Sequence, residues 1–275
     1  MTKDATSGDS LSSRSGSAQA LPIEARYQKT LIPIEAITTF NSNMGSADLK
    51  QIVEARDGKH YAVKTTRDGA GKVPASEFFC YELACRVVIP TPAFAIISMP
   101  QGDLAFGSLW EGGVVNGNKR VDYQAFVMAV LQGKTKVPNL KAFLSRLYAF
   151  DLFVNNVDRH WGNYLWRSSF GDSFIALAFD FSRACFEVGH LGFEAVHPAS
   201  NTQIAFRMIN LTKNYIRAEA LGCLEAIEAI DSNEIATILE NFPASWMSKA
   251  DRKAYIDWWD SQARLDRISS LKNTI

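Results

Sequence analysis

DLFVNNVDRHWGNYLW, residues 151–166, is the most informative segment of the sequence. It closes a long apolar helical segment, NLKAFLSRLYAFDLFVNN at 139–156, in which Phe143, Leu147, Tyr148 and Leu152 share one face. Asp158, Arg159, His160 and Asn163 then fall on a tight loop before a strand, so that an Asp and an Asn of one loop can face a common point. A hairpin follows, with NYLW at 163–166, a turn around 169–172 and FIALAFD at 174–180. An antiparallel return of this kind brings Asp180 back beside Asn163.

Phosphoryl transfer needs a carboxylate to orient the attacking hydroxyl, an amide oxygen to hold magnesium and a second carboxylate to bridge the metal to the phosphates. Asp158, Asn163 and Asp180 fit these three parts in chain order. Asp180-Phe181-Ser182 stands where protein kinases have Asp-Phe-Gly. A cation from a strand must meet the nucleotide phosphates, and Lys64 in YAVKT, 61–65, matches the Val-Ala-Ile-Lys strand signal. Glu77, on the helix that follows, is the candidate ion-pair partner of Lys64, with Glu82 as the other. One strand earlier, TTFNSNMGSADLKQIVEA offers Gly45 and Ser46 as the turn over the triphosphate. Taken singly, each element has a bland explanation: a strand lysine is usually solvated, and Asp and Asn are ordinary turn residues. Their order along the chain makes the case.

Upstream, residues 21–99 alternate short β-type runs with turn signals: ITTF at 37–40, LKQIVEA at 49–55, an Asp57-Gly58 turn and YAVKT. SEFFCYELACRVV reads as a helix behind Pro74 with Ser76 as its cap, and Pro90 and Pro92 end it. AFAIISM at 93–99 is a further strand, and the glycine-bearing FGSLWEGG at 106–113 is the candidate boundary between two halves. The expected organisation is a disordered tail at 1–20, a β-rich N-lobe with one helix at 21–113, and a larger, mostly helical C-lobe at 114–275 in which Pro243 separates two late helices. The fold class is α+β, bilobal and protein-kinase-like.

VNNVDRHWGNYL resembles the Gly-Asn-x-Asp-Arg-His-x-x-Asn signature of the HipA-like kinases, matching at Asn156, Asp158, Arg159, His160 and Asn163. The likeness extends to GKHYAVKT, SEFFCYELACRVVIPTP, AFGSLW and FPASWMSKADRKAYIDWWDSQARLDRI, and is nearest to the compact members of that family rather than to toxins with a larger N-terminal portion. It implies a Ser/Thr-type kinase using ATP and Mg2+, Asp158 as catalytic carboxylate, and Asn163 with Asp180 as metal ligands. It also implies a protein acceptor, a toxin–antitoxin-type partner, and autophosphorylation at Ser42 or Ser46. The chain departs at position 155, where Asn155 replaces the usual Gly.

Composition narrows the alternatives. Lys plus Arg (29) equal Asp plus Glu (29) in 275 residues, so no net field draws the chain to nucleic acid or an anionic membrane. No run approaches a membrane span, nor a secretory signal's apolar core, and Cys80, Cys85, Cys185 and Cys223 have no zinc or disulfide-framework spacing. A cytoplasmic protein is expected. His160, His190, His197 and Cys185 fit no common zinc pattern, so His160 is expected to brace its loop. Trp246, Trp258 and Trp259 read as core packing ahead of a partner surface. Arg159 and Arg183 either stabilise phosphate charge or pair with local carboxylates. The other functional readings are a catalytically silent, partner-recruiting pseudokinase and a kinase for a small molecule or lipid.

Overall fold

The computed structural model describes residues 32–41, 51–110, 114–115 and 120–275. The expected tail at 1–20, and the Gly45, Ser46 and Ser42 assignments, lie outside the described residues.

Five strands, β1 (Ile34–Asn41), β2 (Gln51–Ala55), β3 (His60–Lys64), β4 (Phe94–Ser98) and β5 (Leu104–Leu109), close into a barrel in the order β1-β2-β3-β5-β4. The β2–β3 turn forms at the Asp57-Gly58 pair: Gly58 takes φ +76°, and the Asp57 carboxylate accepts from Lys59 N and Tyr61 Oη. Val53, Ala55, Tyr61, Val63, Ile97 and Ala105 fill the barrel. Strand alternation therefore turns Lys64, which follows the inward Val63, to the other face. Phe106 to Leu109, read above as part of a boundary, belong to β5. The glycine there is demanded by packing, since a Cβ on Gly107 would lie 2.5 Å from Ile97 Cγ1.

Helix α1 (Val73–Arg86) begins earlier than its Ser76 cap would have it, because Pro74 occupies the first turn and supplies helical φ. Ser76 sits inside the helix, where its Oγ accepts from Glu187 N. Apart from Arg86 and Cys85 every residue of α1 is buried, Ser76, Glu77 and Glu82 included, so the helix is enclosed on all sides. Phe78 meets Phe94, Phe242 and Trp246, while Phe79 meets Phe186, Tyr255 and Trp259. Truncating either ring to Ala should cost about 3–5 kcal/mol.

The remainder is mostly helical: α2 (Arg120–Leu131), α3 (Leu140–Phe153), a single turn α4 (Cys185–Val188), α5 (Asn201–Leu211), α6 (Arg217–Glu228), α7 (Ser232–Glu240), α8 (Lys249–Trp259) and α9 (Gln262–Thr274). A small sheet of β6 (Val114–Val115), β7 (Tyr164–Ser168) and β8 (Phe174–Ala178) interrupts it. The architecture is thus mixed α+β, β-rich at the N-terminal end and helical at the C-terminal end. Trp246 and Trp259 are buried, and the Trp246 indole donates to Leu104 O of the barrel at 2.9 Å, which settles these residues as packing. Among the described residues no helix is long and apolar enough to cross a membrane.

Candidate active site

Helix α3 stops at Phe153, and Asn155 turns the chain with φ +54°, in the left-handed region that favours glycine. Asparagine tolerates that region, and here its side chain adds three bonds: Nδ2 donates to Gly189 O and to Glu194 Oε2, and Oδ1 accepts from Ala195 N. The departure at this position is therefore compensated locally. Asn156 joins the loop to the helix, donating to Asp151 Oδ1 at 2.8 Å while its Oδ1 accepts from Asp158 N. His160 Nδ1 accepts from Gly162 N and so braces the short 3-10 turn before β7, as expected.

Arg159 resolves the choice left open by the sequence. It is 1% exposed and grips Asp151 with two bonds of 2.8 and 3.1 Å. Its Nη1 donates to Asn163 O at 2.9 Å and Phe179 O at 2.6 Å, and its guanidinium lies 4.7 Å from the Phe181 ring centre. It pins the loop to the end of β8 and has no access to a phosphate. Arg183 is exposed, with no side-chain partner among the described residues.

The β7–β8 register pairs Tyr164 with Ala178, which leaves Asn163 next to Phe179 and brings Asp180 to the loop. Asp180 then meets Lys64, 116 positions away, at 2.5 Å, and Lys64 meets Glu77 Oε1 at 2.7 Å. Of the two glutamates, Glu77 is the partner; Glu82 pairs with Arg86 at 2.8 Å. Burial works against the Lys64 charge, but Asp180 and Glu77 outweigh it and hold the ammonium well above its usual range. Burial also pushes Glu77 up to about 7 against the pull of Lys64, with Asp180 adding to the rise. Its Oε2 is buried without a well-formed hydrogen bond. Asp180 goes the other way. Burial is overcome by Lys64 and by Ser182, whose Oγ donates at 2.7 Å, so this carboxyl stays ionised well below its usual range. Asp180 adopts φ +60°, a conformation an Asp tolerates and these bonds secure.

Asn163 Nδ2 donates to Asp158 O at 2.9 Å, which directs its Oδ1 away from the loop backbone. All three bonds to Asp180, from Lys64 Nζ and from the Ser182 hydroxyl and amide, fall on Oδ1, leaving Oδ2 unclaimed among the described residues. Two hard oxygen donors with open lone pairs suit magnesium, which takes one or two protein oxygens plus phosphates and water. No cluster of three or more His, Cys, Asp or Glu that could hold a metal occurs among the described residues. Two clefts adjoin the site. One, of about 320 Å3, is lined by Lys64, Gly69, Ser182 and Glu187; the other, of about 990 Å3, by Asp158, Phe193, His197 and Asn201. Arg183 borders both. Asp151, Asn201 and Thr202 carry no signal in the sequence, and Ser182 is marked there only as the third residue of Asp-Phe-Ser, although a Ser two residues after an Asp is a recognisable turn signal.

The proinflammatory kinase CtkA of Helicobacter pylori superposes with a TM-score of 0.55 at 14% identity, over 88% of this chain and 98% of that one. HipA of Shewanella oneidensis MR-1, solved with HipB and its operator DNA, superposes with a TM-score of 0.52 at 12% identity, over 88% and 67% of the two chains. At these identities both show a shared fold. No protein of curated function matches the sequence. The HipA-like kinase family model matches residues 42–272, and the chain belongs to that family.

Proposed function

We propose that the protein is a bilobal, ATP- and magnesium-dependent kinase that transfers the γ-phosphate to a hydroxyl, a Ser or Thr of a protein that includes itself. The observation that carries this is the Lys64 ammonium held between Glu77 and Asp180, with Asp158 beside an adjoining open cleft. Lys64 would contact the nucleotide phosphates and Glu77 would keep it in place. Asn163 and Asp180 would hold magnesium, which when bound neutralises charge on the transferring phosphoryl group. Asp158 orients the acceptor hydroxyl and accepts its proton. On this reading Gly45 and Ser46, outside the described residues, would supply the turn over the phosphates, and Ser42 or Ser46 would be the site of self-modification. The HipA neighbour, solved with HipB, supports a toxin–antitoxin-type partner, and a cytoplasmic setting belongs to the same reading.

The test is transfer of labelled γ-phosphate from MgATP by wild type, Asp158→Ala and Asp180→Ala, followed by intact mass and peptide mapping. Wild type should label itself and both variants should not. Nucleotide binding without turnover above Asp158→Ala would favour the pseudokinase, and transfer only to lipid or small-molecule hydroxyls would replace the protein acceptor.

A further inference from the structure

Asp158 is held from outside its own loop. The first turn of α5 meets residues 156–159 at four points. Asn201 N donates to Val157 O at 3.1 Å, Thr202 Oγ1 donates to Asn156 O, and Arg159 N donates to Thr202 Oγ1 at 3.2 Å. The fourth is Asn201 Nδ2, which donates to Asp158 Oδ1 at 2.5 Å. An ionised carboxylate only accepts, so the amide must present its NH2 here. This bond is not helix capping. A capping side chain accepts from the helix, and Ser200 already does so from Gln203 N. Asn201 is exposed, so its side chain is not required by the core either.

From this we infer that Asn201 is a positioning residue for Asp158, an inference that rests on the kinase assignment above. By engaging Oδ1 it fixes the carboxylate rotamer and leaves Oδ2, which has no partner among the described residues, to face the cleft of about 990 Å3 that Asn201 itself borders. The acceptor hydroxyl then meets one defined oxygen instead of a freely turning carboxylate. Thr202, buried beneath, keeps the loop backbone in register for that contact.

The experiment compares Asn201→Ala and the isosteric Asn201→Asp with wild type, using labelled MgATP and following phosphate transferred to the protein and released to water. The expected result is a fall in kcat of roughly 10- to 100-fold, the range for a displaced catalytic group. KM for ATP should stay within about twofold and the melting temperature should not move, because neither depends on the Asp158 rotamer. In an Asp158→Ala background, Asn201→Ala should have no further effect. Wild-type turnover in Asn201→Ala, an additive loss in the Asp158→Ala background, or a loss shared equally with ATP affinity would each overturn the inference while leaving the kinase assignment intact. A wild type no faster than Asp158→Ala would instead bring down that assignment, and this inference with it.

Discussion

Replacing Arg159 by Met should separate what holds this site together from what acts in it. The substitution keeps the apolar bulk over Phe181 and deletes a guanidinium that is 1% exposed. It strands the Asp151 carboxylate, itself 0% exposed, with the single bond from Asn156, and frees the Asn163 and Phe179 carbonyls. Breaking a buried ion pair on one side costs about 3–5 kcal/mol. Phe179 O is left orphaned, adding about 1 kcal/mol, whereas Asn163 O still accepts from Phe179 N at 3.4 Å. The Met side chain and movement of water return part of this, so about 4–5 kcal/mol is expected, a large share of a typical stability of about 5–15 kcal/mol. Burial already raises the Asp151 carboxyl against the pull of Arg159, and without Arg159 the rise is larger. A carboxyl that binds its proton more tightly when folded loses stability as pH rises, so the deficit should be smaller at pH 5 than at pH 8. Urea unfolding followed by tryptophan fluorescence gives both numbers. Converting Asp151→Asn in the same chain removes the stranded charge and should recover about 2–3 kcal/mol without restoring turnover. A single variant within about 1 kcal/mol of wild type, or a double variant no more stable than the single, refutes the account of Arg159 as a buried brace.

Position 155 gives an inverted ranking. Asn155→Gly keeps the left-handed turn and should cost only about 1–2 kcal/mol for lost hydrogen bonds, whereas Asn155→Ala also strains at φ +54° and should cost about 2–4 kcal/mol in the same urea assay. His190 packs against Tyr255 and Trp258, and burial, helped by Arg267 and Lys72, lowers its pKa from 6.5 to about 4. The unfolded chain then gains a proton below its ordinary value that the fold resists, so stability present at pH 7 should drop by about 1–2 kcal/mol at pH 5 after allowance for partial exposure. His190→Phe should flatten that drop, as read from melting curves across the range. Gly107→Ala should cost about 1–3 kcal/mol by forcing a methyl against Ile97 inside the barrel, visible as a lower denaturation midpoint.

Much of this site is legible in the sequence because period and turn chemistry carry it. Lys64 is found from the match of YAVKT to the Val-Ala-Ile-Lys strand signal, and Asp180 from the hairpin that returns to Asn163. Glu77 leads Glu82 as the candidate partner of Lys64, but two carboxylates on one buried helix are told apart only by which face meets the barrel. Ser76 was misplaced as a cap because Pro74 already starts the helix. Arg159 stayed ambiguous because its acceptor, Asp151, lies on the preceding helix and looks like an ordinary surface Asp until α3 is seen to be buried there. Asn201 left no signal at all. It lies 43 positions beyond Asp158, at a helix start where Asn is unremarkable, and only the packing of α5 against the loop gives it a role.

The two buried cations show why one is structural and the other is free to act. Arg159 has four of its five donors engaged by protein, in a planar fork matched to Asp151 and two carbonyls, and any ligand would have to dismantle that arrangement. Lys64 has three donors and the structure engages two. Asp180 and Asp158 likewise keep Oδ2 unclaimed and Asn163 keeps Oδ1, all among the described residues. Asp151 has both oxygens filled, and Asn156 is engaged through both its amide nitrogen and its oxygen. Residual valence, more than burial or charge, therefore marks the groups that can meet a phosphate, a metal or a hydroxyl. It also sets the competition at Lys64, where a nucleotide must take up the third N–H or displace Asp180. Asp180 would be the weaker claimant if a metal were held at its carboxylate, because a divalent ion would drain the negative charge that now holds the ammonium. Metal and nucleotide should consequently bind with positive cooperativity, and Asp180→Asn should abolish that cooperativity while leaving the Lys64 to Glu77 pair in place.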